Sequence, residues 1–324
     1  MNSPLMCAED INRFYAVSLG MGRKSRRLQA VRDVSLYLQS GETLGLVGES
    51  GCGKSTLGRV LVGLEPASSG RVFYREKQIW AGFSTEFNLR QRIQMIFQDP
   101  FSSLNPRQKI KNIIAEGLTV RAGGKGSRSE IRETVARVMH KTGLPPEFGE
   151  RYPHEFSGGQ RQRVAIARVL AMDPEVIVCD EPVSALDVSI QAQIINLLRG
   201  MQKEMGLSLL FISHDLSVIN SISHVVAVMY LGQIVESGPR QAVYSSPAHP
   251  YTRALLSAVP IPDPKDKRPR ILLKGDPPSP MDPPPGCLFH TRCPECMDKC
   301  TKDRPAWSEI GSGHFVRCFL HSGS

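Results

Sequence analysis

The stretch GESGCGKST, residues 48–56, sets three glycines, Gly48, Gly51 and Gly53, before Lys54, Ser55 and Thr56. It follows the apolar run TLGLV and opens the helical pattern KSTLGRVLVGL. Glycines there let backbone amides, that of Ser50 included, wrap phosphates; Lys54 reaches the β/γ oxygens and Ser55 can ligate Mg²⁺. VIVCDE, 176–181, ends an apolar run in two carboxylates. Asp180 can hold Mg²⁺ through water, and Glu181 can polarise an attacking water. Alone, such a pair would suit an ordinary turn. Gln98 in FQDP and His214 in FISHD each close another apolar run. A ring nitrogen of His214 could touch a γ-phosphate, although a lone histidine there is more often structural. A second phosphate-attracting feature, EFSGGQRQR at 155–163, sets Ser157, Gly158, Gly159 and Gln160 at the start of the helical run QRQRVAIARVLA.

The elements that must carry these residues show as short apolar runs alternating with helical patterns. TLGLVG, IQMIFQ, VIVCDE, LSLLFISH and HVVAVMYLG have the length and content of buried strands, and helices such as IQAQIINLLRGMQKEMG lie between them. The expected class is α/β, a largely parallel sheet covered by helices. SEIRETVARVMHKTGL has helical spacing, with a capping box expected near Ser129 and Glu133 after the surface loop RAGGKGSRSE. Fifteen of the 24 prolines lie from Pro239 onward, and PDPKDKRPR and GDPPSPMDPPPGC exclude interior helix or central strand. A compact body at 1–238 and a Pro- and Cys-rich module at 239–324 are therefore expected. The net charge of +9 admits nucleic acid, an anionic membrane surface, nucleotide phosphates or plain solubility. No run approaches the ~20 apolar residues of a spanning helix, and no secretory signal is visible, so a cytoplasmic chain is expected.

Taken in order, the P-loop, Gln98, SGGQ, the Asp180–Glu181 pair, SALD at 184–187 and His214 resemble the ATP-binding subunit of ABC transporters. The resemblance implies a P-loop NTPase fold with a helical subdomain at about 100–170. It also accounts for two phosphate cradles in one chain. In that family two nucleotide domains face each other head to tail, and each ATP lies between the P-loop of one and the SGGQ of the other. Ser157, Gly158, Gly159 and Gln160 would then serve the partner's ATP. By the same resemblance Gln98 senses metal and lytic water, and Asp180 supports the metal. Glu181 is the general base, Asp187 contacts the opposite subunit and His214 holds the γ-phosphate. Tyr15 stacks on adenine, with Phe14 as second candidate. The family's signature usually begins with Leu, where this chain has Phe156.

RYPHEFSGGQRQR, HPYTRALLSAVP, DPPSPMDPPPGC and FHTRC are similar to the dipeptide and oligopeptide permease branch, above all to the second ATPase subunit of dipeptide permeases. That likeness implies an ATP-hydrolysing subunit of a peptide importer, peripheral on the cytoplasmic face of the membrane. Its implied partners are two transmembrane permease subunits, contacted through DPFSSLNPRQKI, a second ATP-binding subunit and an extracytoplasmic peptide-binding protein, with no nucleic acid. The alternatives are the same machinery with nickel, glutathione, an opine or an antimicrobial peptide as cargo, or a soluble ABC ATPase acting on nucleic acid or ribosomes. Cys287, Cys293, Cys300 and Cys318 fit a tail pattern in which the family can hold a [4Fe–4S] cluster. Zinc, or reduced unligated thiols, are the other readings of these residues. Cys296 is extra to that spacing.

Overall fold

The computed structural model describes residues 3–18, 25–79, 87–121, 127–259 and 270–321. Residues 122–126 of the expected surface loop 121–130, and 262–269 of PDPKDKRPR, lie outside them, while Arg121 and residues 128–130 of that loop are helical. The chain forms two compact units, residues 1–83 with 211–324 and residues 84–210.

The first unit opens with β1 (Met6–Val17), β2 (Arg26–Leu38), β3 (Thr43–Val47), α1 (Lys54–Leu61), β4 (Ser69–Tyr74) and β5 (Lys77–Gln78). Strands β2, β1, β4 and β5 make an antiparallel sheet in that order. The apolar-run pattern does not anticipate this sheet, for a physical reason. Register shifts between Ala8 and Ile11, and on to Arg13 and Phe14, break the alternation by which a half-buried strand is read.

The second unit holds α2 (Phe87–Arg92), β6 (Ile93–Ile96), α3 (Pro100–Ser103), α4 (Ile110–Arg121), α5 (Arg128–Lys141), α6 (Gly158–Leu170), β7 (Val176–Asp180) and α7 (Val188–Met205). Strands β6 and β7 pair in parallel, and helices α3, α4 and α5 pack on α6. Six apolar residues of α6 are buried between Val164 and Leu170, so this helix is a core element rather than a surface one. Helix α5 departs from expectation. Its N-cap is Ser127, two residues before the expected Ser129, and no side-chain hydrogen bond closes a capping box.

The unit boundary falls inside β8 (Ser208–Ser213), after which the chain returns to the first unit. There it forms α8 (Leu216–Ile222), β9 (Val225–Tyr230), β10 (Gln233–Pro239), α9 (Arg240–Ser245), α10 (Pro250–Ser257), α11 (Asp298–Lys302), β11 (Ser308–Gly311) and β12 (His314–Val316). β3 and β9 are parallel, and β10 pairs antiparallel with both β9 and β12. All five residues of β3 are buried, as a continuous apolar run requires. Between 270 and 285, where prolines crowd, there is no helix or strand.

Candidate active site

In the first unit β3 delivers the chain into the 48–53 loop and α1. A Cβ on Gly48 would lie 2.1 Å from the Met229 carbonyl oxygen. One on Gly53, whose φ is +106°, would lie 2.1 Å from the carbonyl oxygen of Ala30. Only glycine lets the loop seat itself between these two backbones. Lys54 is buried, and its Nζ donates to the carbonyl oxygens of Gly48 (2.8 Å) and Glu49 (3.0 Å). Those bonds satisfy a buried ammonium and leave it lying along the loop where phosphates would sit. Ser55 and Thr56 are half-buried in the first turn of α1; Ser50 and Gly51 are exposed.

Tyr15, on β1, is half-buried. Its hydroxyl hydrogen-bonds the Glu65 carboxylate, and the Arg13 guanidinium lies 4.5 Å from its ring centroid. Phe14 instead carries Arg27 at 3.4 Å. His214 is exposed beyond the end of β8, just before Asp215 caps α8 by accepting from the Ser217 N–H at 2.7 Å. The loop is also touched by two residues of the tail motifs to which the sequence assigned no chemical role, Tyr251 of HPYTRALLSAVP and Arg292 of FHTRC.

In the second unit β7 is buried along its length and ends in Asp180. Glu181 follows with a φ of +45°, a left-handed conformation that costs a non-glycine residue of order 1 kcal/mol and gathers at functional sites. Its Oε2 accepts from Nε2 of Gln98 at 3.1 Å, so the structure brings together a glutamine and a carboxylate 83 positions apart. Asp187 caps α7. Its Oδ1 accepts from the Ser189 hydroxyl (2.7 Å) and the Ile190 N–H (3.0 Å), bonds that hold its carboxyl below the usual carboxylate range.

The SGGQ stretch forms a reciprocal cap at the start of α6. Ser157 Oγ accepts from the Gln160 N–H at 3.3 Å, while Gln160 Oε1 accepts from the Ser157 N–H at 2.9 Å. The helix end is therefore capped by its own serine and glutamine. A Cβ on Gly158 would come within 3.3 Å of Leu186, and one on Gly159 within 2.5 Å of Ile190. SGGQ thus packs against the residues flanking Asp187. Phe156 is buried, edge-on to Phe148 at 5.2 Å, and anchors the segment that presents Ser157 and Gly158 to solvent.

The tail cysteines influence one another. Burial first, then the neighbouring thiols of Cys300, Cys318 and Cys296, push Cys287 up to about 11. Burial, then Cys287, Cys318 and Cys296, raises Cys293 to about 11. Burial thus favours the protonated thiols, whereas a metal binds thiolates. Nor does the geometry supply a metal site: among the described residues, no three or more His, Cys, Asp or Glu side chains form a metal-holding group. The four-cysteine site expected from Cys287, Cys293, Cys300 and Cys318 is not assembled here.

A family profile described as "ABC transporter" matches residues 31–184, and one described as "Oligopeptide/dipeptide transporter, C-terminal region" matches residues 235–300. The chain is similar to cbiO1 from Clostridium perfringens, part of an ABC transporter complex, at TM-score 0.65 and 28% identity over 76% of this chain and 92% of that one. A dimeric ATP-binding cassette bound to ADP and Pi aligns at TM-score 0.65 and 25% identity, covering 72% of this chain and 98% of that one. Fold and motifs together define an ABC-type ATP-hydrolysing subunit. Among its relatives, the oligopeptide transport ATP-binding protein OppF of Escherichia coli (strain K12) is 55% identical over 90% of this chain and 88% of its own. OppF of Haemophilus influenzae is 54% identical (91% and 90%), and the dipeptide transport protein DppF of E. coli 48% (98% and 95%). The chain belongs to the oligopeptide/dipeptide permease family of ABC transporter ATP-binding subunits.

Proposed function

We propose that this chain powers the import of oligopeptides or dipeptides, as one of two ATP-binding subunits on the cytoplasmic face of a membrane transporter. The observation that carries the catalytic part is the Gln98–Glu181 hydrogen bond at a strained glutamate. Glu181 is the general base that takes a proton from water, Gln98 orients that water and the metal, and His214 steadies the γ-phosphate. The loop of Gly48, Ser50, Gly51, Gly53, Lys54, Ser55 and Thr56 binds the triphosphate, and Tyr15 stacks on adenine. Mg²⁺, when bound, neutralises phosphate charge; Ser55 and Gln98 would hold it, with Asp180 in support. Ser157, Gly158, Gly159, Gln160 and Asp187 act across the interface to the second ATP-binding subunit.

We assign residues 1–238 to the nucleotide-binding body, with its helical subdomain at about 100–170, and 239–324 to the family's C-terminal extension. The tail profile at 235–300 weighs against a soluble ABC ATPase on nucleic acid or ribosomes, and the peptide names of the relatives weigh against nickel, glutathione or an opine. The spacing of the tail cysteines supports a second proposal, that Cys287, Cys293, Cys300 and Cys318 close around a [4Fe–4S] cluster or zinc when it is supplied.

One preparation tests both. The tagged chain, recovered anaerobically from detergent-solubilised membranes, should bring two multi-span proteins, a second P-loop chain and an extracytoplasmic peptide-binding protein. Ribosomal proteins or nucleic acid without membrane subunits would overturn the transport reading. Iron, with absorbance near 400 nm, or stoichiometric zinc should accompany the chain; neither metal means the tail thiols are unligated.

A further inference from the structure

The residues that hold the P-loop from outside come from the C-terminal region. Tyr251, 202 positions from the loop, accepts the Glu49 N–H on its hydroxyl at 3.0 Å. The Arg292 guanidinium grips the Glu49 carboxylate with both prongs, Nη1 to Oε2 at 2.8 Å and Nη2 to Oε1 at 3.2 Å. The Glu49 carbonyl accepts from Nζ of Lys54. Glu49 therefore joins the phosphate-binding lysine to the tail through every polar group it owns.

The tail side of the contact is built to be rigid. His249 caps α10 by accepting the Tyr251 N–H at 3.1 Å, and Pro250 presets the first turn, which aims Tyr251. The Tyr251 ring is fully buried beside Tyr230 (4.8 Å) and Phe289 (5.4 Å). Phe289 in turn packs edge-on to Tyr230 at 5.2 Å, and its carbonyl accepts the Arg292 N–H at 3.0 Å. Beneath them the buried Glu236 accepts from the N–H groups of Ala248 (2.8 Å) and His249 (2.9 Å) and pairs with His314 on β12 at 2.8 Å. HPY and the arginine of FHTRC, motifs left without a chemical role by the ATPase reading, converge on one P-loop residue.

We infer that Arg292 and Tyr251 are positioning residues for ATP binding: the C-terminal extension sets the P-loop conformation by neutralising and orienting Glu49. The physical argument is electrostatic. The Arg292 side chain is 7% exposed and that of Glu49 27%, so the pair is partly desolvated and bidentate. Without Arg292, an uncompensated carboxylate stands in the loop that must accept a triphosphate, and like charges repel. Tyr251 fixes the same residue through its backbone. The inference rests on the proposal that this loop binds ATP.

The test is equilibrium titration of the full-length chain with a fluorescent ATP analogue, with steady-state ATP hydrolysis by the assembled transporter as second readout. Arg292→Met should weaken nucleotide binding by about tenfold, the change that about 1.4 kcal/mol produces, with kcat at saturating ATP little altered. Adding Glu49→Gln to Arg292→Met should restore most of the lost affinity, because the unpaired charge is then gone. A tail that only stabilised the fold would not yield that rescue. Arg292→Met binding as tightly as the parent, or a double variant as weak as the single, overturns the inference. Should Arg292→Met fail to fold, Arg292→Lys, which keeps charge but not the two-pronged grip, should bind with intermediate affinity; parent-like affinity there also overturns it. Failure of the parent to bind the analogue would strike the P-loop reading itself and is seen before any variant is made.

Discussion

Glu181 occupies a left-handed backbone conformation at the end of a buried strand, where its carboxylate meets Gln98. The Glu181 carbonyl oxygen accepts from both the N–H (3.3 Å) and the hydroxyl (3.1 Å) of Ser184, a tight turn that overrides the local preference. A base must be held where water will be, and a glutamate free to rotate away would serve less well. Glu181→Gln keeps the side chain's length and an oxygen able to accept from Gln98, so ATP should bind within about twofold of the parent. If Glu181 is the base as proposed, its loss should slow steady-state hydrolysis by the assembled transporter by about 100-fold or more. Hydrolysis at the parent rate would remove Glu181 from that role. The sequence marked Glu181 by its place after an apolar run, yet nothing in VIVCDE announces a positive φ on a glutamate.

Elements were legible in proportion to how simple their burial is. β3, β7 and β8 are buried throughout, and a short unbroken apolar run is what such burial looks like in sequence. β1 and β2 carry bulges and half-buried residues, so neither period is clean and the antiparallel sheet was invisible. Helix starts show the same contrast. In α6 the cap is reciprocal and local, whereas near α5 two serines two residues apart compete and the sequence cannot rank them. The α6 cap gives a test that separates structure from chemistry. Ser157→Ala removes the acceptor for the Gln160 N–H and should lower the stability of the chain by about 1 kcal/mol in denaturant unfolding. Ser157→Asn restores a capping oxygen and should recover most of that loss. On the proposed role of Ser157 at the partner's phosphate, the larger side chain of this variant should still cut ATP hydrolysis by the assembled transporter. If the Asn variant recovers stability and activity together, Ser157 is only a cap.

At the scale of the whole molecule, the net charge of +9 said little, and the contact between tail and P-loop could not be read because it joins residues about two hundred positions apart. That same tail seating makes the chain sensitive to acid. His249 is fully buried, and burial above all lowers it from 6.5 to about 4; Glu236 opposes the shift, while Arg253 and His321 add to it. Its Nδ1 accepts the Tyr251 N–H, so the neutral ring is the form the fold uses. The unfolded chain takes up the proton first as pH falls. Stability is therefore whole above the unfolded value of 6.5 and drains away down to about 4, by about 3 kcal/mol in total for that interval. Glu236 pushes the same way: burial raises its carboxyl, but the bond from His314, then those from the Ala248 and His249 N–H groups, outweigh burial and hold it low. Its contribution is present above the usual carboxylate value and is lost as acid protonates it. The melting temperature of the chain, followed by the fluorescence of Trp307 packed on Phe315 in the tail, should thus fall between about pH 7 and about pH 5. His249→Asn retains an acceptor for the Tyr251 N–H but cannot titrate, and its melting temperature should decline less steeply over that range. Equal slopes for the two chains would mean that another group carries the acid response.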